Sequence, residues 1–350
     1  MKKRIISYVE ALNEAQEQEM KRDPRVFLLG LGVDDFKGIM GSTKGLVDKL
    51  GPDRIFDTPL SEDAMTGVAI GAAIAGLRPI HVHIRMDFVL LAMNQLVNIA
   101  AKSKYMYGGS YSVPLVVRSL IGRSWGQGAQ HSQALQALFM HIPGLKVVAP
   151  STPYDAKGCL IESIRDNNPV IFIEHRMLYS QKSYVPESIY TVPLGKSRIL
   201  SKGVDITVVG ISYMAVESLR AQKLLEKEGI SAEIIDPVTL NPLDIKTILK
   251  SVEKTGRLLV VDTGWTSCGA SAEIIAQVSE KIGDGLKKIH LQRMGFEPIP
   301  CPTTKNLENL FYPNAQKIAT AAYRMVKRNG KLTFPENIEA PEITEFKGPF

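Results

Sequence analysis

The 350 residues exceed what one hydrophobic core usually organises, so two domains are expected, and 45% hydrophobic with 22% charged residues is an ordinary globular balance. The net charge of +6 is spread out, with no basic stripe carrying interleaved aromatics, which argues against a nucleic-acid partner. Three cysteines, Cys159, Cys268 and Cys301, build neither a disulfide framework nor a zinc spacing, so reduced thiols in a cytoplasmic protein are expected.

In chain order, the basic start Met1-Lys-Lys-Arg imitates the head of a signal peptide, but Glu10, Asn13, Glu14 and Gln16 break up the apolar run such a peptide needs. Tyr8, Val9, Leu12, Ala15 and Met20 have the spacing of an amphipathic helix instead. No run reaches the roughly 18 apolar residues that span a bilayer, so no membrane partner is expected. Short β-branched runs then alternate with helical patterns. Strands are expected over Val26–Gly32, Pro79–Ile84, Val113–Ser119, Lys146–Ala149 and Pro169–Glu174, and helices over Asp63–Ala75, Phe88–Lys104, Ser132–His141 and Pro153–Asp166. Strands apolar on both faces, separated by helices, point to a parallel sheet covered on both sides. After Glu174 the pattern lapses into a polar stretch with Pro186 and Pro193 that reads as a linker. A second series comes next, with strands over Asp205–Gly210, Ser231–Ile235, Leu258–Asp262 and Lys288–Leu291. Its helices are Met214–Glu228, Leu243–Val252, Ala270–Lys281 and Ala315–Lys327. The expected organisation is an α/β domain over 1–180, a linker over 181–203, a smaller α/β domain over 204–330 and an extended tail over 331–350.

Two motifs carry chemistry. Asp57-Thr-Pro-Leu-Ser-Glu62 runs into a helix made almost wholly of Gly, Ala, Val and Ile, which places the Glu62 carboxylate at the mouth of a strand–turn–helix unit. Read blandly, it is a helix start with Pro before, a Ser cap and an acid in the first turn. The second is Gly122-Arg-Ser-Trp-Gly-Gln-Gly128-Ala-Gln130-His131-Ser-Gln133, whose glycines let backbone approach a ligand closely. His131 is flanked by amides able to orient it; the bland reading is a histidine that only hydrogen-bonds near a helix start. Both loops come after buried strands and so converge at the carboxyl edge of one sheet, where α/β folds bind ligands.

Together these residues resemble the β subunits of thiamine-diphosphate-dependent 2-oxo acid dehydrogenases of the pyruvate, branched-chain and acetoin types. The likeness is carried by Asp57-Thr-Pro-x-x-Glu62, Gly71-Ala-Ala-x-Ala-Gly76-Leu-Arg-Pro, Gln130-His131-Ser-Gln133, Pro143-Gly-Leu-Lys-Val-Val, Asp155-Ala-Lys-Gly158 and Ile164-Arg-Asp166-Asn-Asn168-Pro. It continues through Ile206-Thr-Val-Val, Asp236-Pro-x-Thr-Leu-x-Pro242 and Gly264-Trp, covering residues 3–328 in order. The resemblance implies two doubly wound α/β domains, a thiamine-diphosphate (pyrimidine-binding) domain and a transketolase C-terminal-like domain. It implies that Glu62 hydrogen-bonds a ring nitrogen of the cofactor's aminopyrimidine, that Phe88 packs near that ring, and that His131 assists acyl transfer to lipoamide. Phe88 spaced with Leu91 and Leu96 would look the same as a plain core aromatic. Leu115, Ser163, Ile164, Asp166 and Asn168 correspond to a potassium site made mostly of backbone carbonyls; a helix end running into an Asx-Pro turn needs no ion. A diphosphate-binding chain would carry Gly-Asp-Gly followed about 25–30 residues later by Asn-Asn to hold Mg2+, and that pattern is missing here. The resemblance therefore implies that a separate α subunit binds magnesium and diphosphate, in an α2β2 heterotetramer that serves a lipoyl-bearing acyltransferase core. The implied reaction is decarboxylation of a 2-oxo acid with acyl transfer to lipoamide. The rivals are transfer to a ketone or aldehyde, a transketolase-like half enzyme, and a non-catalytic scaffold.

Three stretches depart from the family pattern. Ile80-His81-Val-His83-Ile-Arg85-Met-Asp87-Phe88 puts two histidines and Arg85 on one strand face, where an acidic and aromatic segment is usual. His-x-His suits a metal, or a strand facing a subunit interface, and an arginine at the cofactor edge suits a substrate carboxylate. The turn Arg118-Ser-Leu-Ile-Gly-Arg123 and the acidic tail Thr333–Phe350 depart as well.

Overall fold

The computed structural model describes residues 4–123, 126–282, 289–327 and 334. The expected tail, apart from Phe334, lies outside the described residues. Two compact units emerge. One holds the chain up to Arg123 with Gln130–Leu194, and the other holds residues 126–129 with the chain from Gly195 onward.

The first unit begins with strand β1 (Ile5–Ser7) and helix α1 (Tyr8–Arg22). Ser7 caps α1 in a reciprocal box with Glu10, which satisfies two of the amide hydrogens a helix start leaves open. Then come β2 (Val26–Gly30), α2 (Leu46–Leu50), β3 (Ile55–Asp57), α3 (Glu62–Ile74) and β4 (Arg78–His83). The chain continues through α4 (Met86–Val89), α5 (Ala101–Met106), β5 (Val116–Ile121), α6 (Gln136–Met140), β6 (Lys146–Val148), α7 (Pro153–Arg165), β7 (Val170–His175) and β8 (Lys182–Tyr184). Strands β6, β7, β5, β4, β2 and β3 lie in that order and run parallel. β5 and β7 are buried at every residue, as the two-sided apolar runs require.

The long helix expected over Phe88–Lys104 is broken up. α4 passes through a tight turn at Leu90–Ala92 and a wide π-type stretch at Asn94–Ala100 before α5 begins. The linker expected over 181–203 is also structured. β8 pairs antiparallel with β1. The buried Lys157 ammonium donates to the carbonyls of Pro186, Glu187 and Ser188 at 2.8, 3.1 and 3.0 Å. Tyr190 stacks on Tyr154, and Val192 sits over Gly158, where a Cβ would come within 2.5 Å of it. The polar composition that suggested a linker is a strap bonded to α7.

The second unit holds β9 (Arg198–Ser201), β10 (Ile206–Gly210), α8 (Tyr213–Glu226), β11 (Ala232–Asp236), β12 (Thr239–Asn241) and α9 (Ile245–Thr255). It continues with β13 (Arg257–Trp265), α10 (Ala270–Ile282), β14 (His290–Phe296), α11 (Lys305–Phe311) and α12 (Ala315–Val326). Its sheet runs β14-β13-β10-β11-β9, parallel except for the antiparallel edge β9. Among the described residues, no helix is long and apolar enough to cross a membrane.

One polar network lies deep in the first unit. Arg118 on β5 forks onto Glu174 on β7 at 2.5 and 2.8 Å, and both side chains are fully buried. Gln16 of α1 accepts from the same guanidinium at 2.7 Å, and the Tyr179 hydroxyl donates to Glu174 at 2.6 Å. Removing one partner of a buried pair leaves an uncompensated charge. Glu174→Gln is expected to lower the unfolding free energy by about 3–5 kcal/mol, read in urea; a loss under about 1 kcal/mol would mean the pair behaves like a surface one.

Candidate active site

Parallel strands deliver their following loops to one edge. At the end of β3, the Asp57 carboxylate accepts from the Val33 amide at 2.8 Å, and the Asp57 amide donates to Asp34 at 3.2 Å, which shapes the approach to α3. Glu62 is the first residue of α3 and is half-buried; Asp63 is exposed and accepts from Gln95 Nε2 at 3.3 Å. α3 has two different faces. Thr66, Ala69, Ile70 and Ala73 are buried, whereas Val68 and Ile74 are exposed. The start of this helix is therefore buried on one side only.

Phe88 in α4 and His131 meet edge to face, with ring centroids 5.2 Å apart. Three contacts hold the segment carrying His131. Asp87 accepts from the Gln133 amide at 3.2 Å and from Gln133 Nε2 at 2.9 Å, and Arg176 donates to the His131 carbonyl at 3.2 Å. The Leu135 amide donates to Met86 Sδ at 3.3 Å. The helix expected over Ser132–His141 starts only at Gln136, and His131 sits in irregular chain before it. Of that loop's glycines, Gly122 belongs to the first unit and Gly126 and Gly128 to the second. Gly126 and Gly128 have φ of 72° and 65° and lie so close to Thr303 that a Cβ would approach it within 2.6 and 2.8 Å. Glu62 shares the sheet edge of Phe88 and His131 without bonding to either of them.

His81 and His83 face inward beneath α3 rather than toward an open interface. Their rings are 4.3 Å apart, and Thr66 Oγ1 lies 3.4 Å from a nitrogen of each. Among the described residues, no group of three or more His, Cys, Asp or Glu side chains is placed to hold a metal ion. Burial pushes His83 down to about 4, and burial followed by repulsion from His83 pushes His81 well below its ordinary value.

At the opposite, amino edge, Leu115, Ser163, Ile164, Asp166 and Asn168 are gathered together. The Leu115 carbonyl accepts from Val170 at 2.9 Å and the Ser163 carbonyl from Asp166 at 3.2 Å. Arg78 donates to the carbonyls of Ile164 and Asp166 at 2.8 and 3.0 Å. The Asp166 carboxylate accepts from the Asn168 amide and from Lys146. Burial raises the Asp166 pKa, but these donors outweigh it and hold the carboxyl below its usual range. Each carbonyl keeps a second lone pair, so the oxygen set fits a potassium ion in donor type, with Arg78 and Lys146 already supplying positive charge.

The Transketolase, pyrimidine binding domain matches residues 4–182, and the Transketolase, C-terminal domain matches residues 195–318. The β subunit of acetoin:2,6-dichlorophenolindophenol oxidoreductase from Cupriavidus necator is 46% identical over 334 residues, covering 93% of this chain and 98% of that one. The β subunit of the pyruvate dehydrogenase E1 component from Rickettsia bellii is 40% identical over 320 residues, covering 91% and 98%. The chain belongs to this family of β subunits. Its Bacillus subtilis acetoin relative is 40% identical over 335 residues, covering 92% and 98%. A split-gene transketolase, solved as an inactive β4 tetramer, shares the fold with a TM-score of 0.75 at 20% identity, covering 92% of this chain and 98% of that one.

Within this β-subunit frame, sequence reasoning passed over Arg176 and the Asp87–Gln133 clasp. The signal was present: Arg176 directly follows the residue that ends β7, at the edge where such sheets bind ligands.

The buried histidines set a pH dependence. Between the ordinary imidazole value of about 6.5 and about 4, the unfolded chain binds protons that the folded chain refuses. Stability is therefore fully present above that window and falls as pH falls through it. His83 alone contributes about 3 kcal/mol across the window. Melting temperature followed from pH 7 downward should drop less steeply in His83→Gln; parallel curves for the two proteins would contradict the assignment.

Proposed function

We propose that this chain is the β half of a thiamine-diphosphate-dependent enzyme that decarboxylates a 2-oxo acid and passes the acyl group to lipoamide. The observation that carries the reading is the Phe88–His131 pair at the same sheet edge as Glu62. These residues suit one end of the cofactor. A carboxylate at a helix start can bond an aminopyrimidine nitrogen, an aromatic ring can wall off water, and an imidazole can face the reacting carbon. When bound, thiamine diphosphate supplies a nucleophilic carbon that attacks the 2-oxo group and stabilises the charge left after loss of carbon dioxide.

Glu62 would hydrogen-bond a ring nitrogen of the cofactor's aminopyrimidine and so set its tautomer. Phe88 excludes water beside it. His131 stabilises charge on the reacting oxygen and assists transfer, its backbone fixed by Arg176 and the Asp87–Gln133 clasp. The α subunit, in an α2β2 assembly, completes the site and holds magnesium and the diphosphate. The uncovered apolar side of α3 and of the turn before it supports that reading: Leu60 is 77% and Val68 56% exposed. The amino-edge oxygens hold potassium and tie the end of α7 to β4.

With the α subunit co-purified, and thiamine diphosphate and magnesium present, reduction of an artificial electron acceptor should depend on a 2-oxo acid. Glu62→Gln is expected to lower the rate by roughly a hundredfold or more, with an unchanged melting temperature. A mutant as fast as wild type would remove Glu62 from the chemistry. Replacing sodium by potassium at equal ionic strength should raise the melting temperature, and Asp166→Ala should abolish the increment; no difference between the two salts would mean that no ion binds.

A further inference from the structure

The chain that carries His131 is not held by secondary structure. Residues 132–135 belong to no helix or strand, and His131 is half-buried in a bend before them. This stretch is held by the first three residues of α4. Met86, Asp87 and Phe88 meet Leu135, Gln133 and His131 in turn, so one step along α4 answers two steps back along the other segment. The Leu135 amide donates to Met86 Sδ at 3.3 Å, and the Gln133 amide to Asp87 Oδ1 at 3.2 Å. Gln133 Nε2 reaches the same Oδ1 at 2.9 Å, and the Phe88 ring meets the imidazole edge to face at 5.2 Å.

These contacts differ in strength. A thioether is a weak acceptor, whereas bonds to a carboxylate are charge-assisted and roughly twice as strong as neutral ones. Asp87 is 7% exposed, so little water competes for its oxygens. Burial pushes the Arg85 guanidinium down and the Asp87 charge opposes it, which places a cation near this carboxylate. Asp87 and Phe88 are consecutive residues of one short helix. The group that grips the chain two positions beyond His131 therefore moves with the ring that touches its imidazole.

We propose that Asp87 is a positioning residue: through Gln133 it fixes the His131 imidazole against Phe88, and the reaction depends on Asp87 through His131. The inference rests on the role given to His131 above and adds what sets its place. A half-buried imidazole in irregular chain keeps freedom that a helix or strand would remove. Misplacing a reacting group by on the order of 1 Å costs about a hundredfold in rate. Arg176, at the end of β7, donates to the His131 carbonyl at 3.2 Å and so holds the backbone of that residue. The chain beyond it is held by α4, and Asp87 supplies the strongest of those bonds.

The test is a double-mutant cycle on the complex co-purified with its α subunit, with thiamine diphosphate, magnesium, a 2-oxo acid and a lipoyl domain as acceptor. Asp87→Ala alone should slow turnover by roughly ten- to a hundredfold. In a His131→Ala background the same change should cost less than about twofold, because the group that Asp87 positions is gone. Asp87→Asn, which keeps an acceptor oxygen, should recover most of the loss, and its melting temperature reads separately the charge removed from beside Arg85. An equal loss from Asp87→Ala in both backgrounds means a purely structural role and overturns the proposal. No loss in the wild-type background overturns it too, as does an Asp87→Asn as slow as Asp87→Ala. If Asp87→Ala does not assemble with the α subunit, Gln133→Met, which removes only the 2.9 Å bond, goes through the same cycle and is read the same way. His131→Ala turning over as fast as wild type overturns both the role of His131 and its positioning. If no 2-oxo acid reacts, the decarboxylase reading fails, and the His131 imidazole resonance, assigned by its loss in His131→Gln, decides the positioning. A shift in Asp87→Ala much larger than in Asp87→Asn supports it; equal shifts, or none, overturn it.

Discussion

From β6 across to β3, the strands of the first sheet all run the same way, and this parallel direction governs where polar chemistry can sit. A parallel sheet covered on both faces buries its strands completely, so side chains that must meet water, ions or ligands collect where the strands begin or end. The amino edge gathers carbonyl and carboxylate oxygens around Arg78 and Lys146. The carboxyl edge gathers Glu62, Phe88 and His131. Between the edges lies one exception, the Arg118–Glu174 fork: a charge pair in the middle of the sheet that Gln16 and Tyr179 bond as well.

Helix α3 connects this architecture to function. Its small residues let one face lie close over β4, where Thr66 meets the two buried histidines. The opposite face, together with Leu60 and Leu91, presents apolar side chains to solvent. A helix so built is half a junction, and the catalytic carboxylate proposed here stands at its first turn. Glu62 is half-buried, which suits the proposal that a second chain supplies the remaining walls of a cofactor site.

Much of this was legible in the sequence because the deciding residues are punctuated by chain chemistry. Asp57-Thr-Pro announced the turn before α3, and the helix expected from Pro153 is α7, whose N-terminal cap is the Thr152 hydroxyl. β-branched runs with apolar residues on both faces placed β2, β4, β5, β6, β7, β10, β11 and β13 to within three residues, whereas β14 ends five residues beyond the expected Leu291 and the short β1, β3, β8, β9 and β12 were not expected. What was not legible depended on contacts between distant segments. The start of α6 at Gln136 goes with contacts from a distant segment: the Gln133 amide donates to Asp87 and the Leu135 amide to Met86 Sδ. The strap after β8 looked like a linker because what holds it comes from distant chain: its backbone carbonyls accept from Lys157, and the Tyr190 hydroxyl donates to the Tyr154 carbonyl. His81 and His83 are polar residues on a buried strand face, and only the packing of α3 shows that they lie under a threonine rather than at an open surface.

The central claim is that this chain carries the aminopyrimidine half of a thiamine-diphosphate site that a second subunit completes. Calorimetric titration of thiamine diphosphate with magnesium, into the chain alone and into the chain co-purified with its α subunit, tests it most directly. Saturable binding to the complex and none to the isolated chain is the predicted result. Equal binding by the isolated chain would contradict the division of the site, and no binding by the complex would contradict the cofactor assignment.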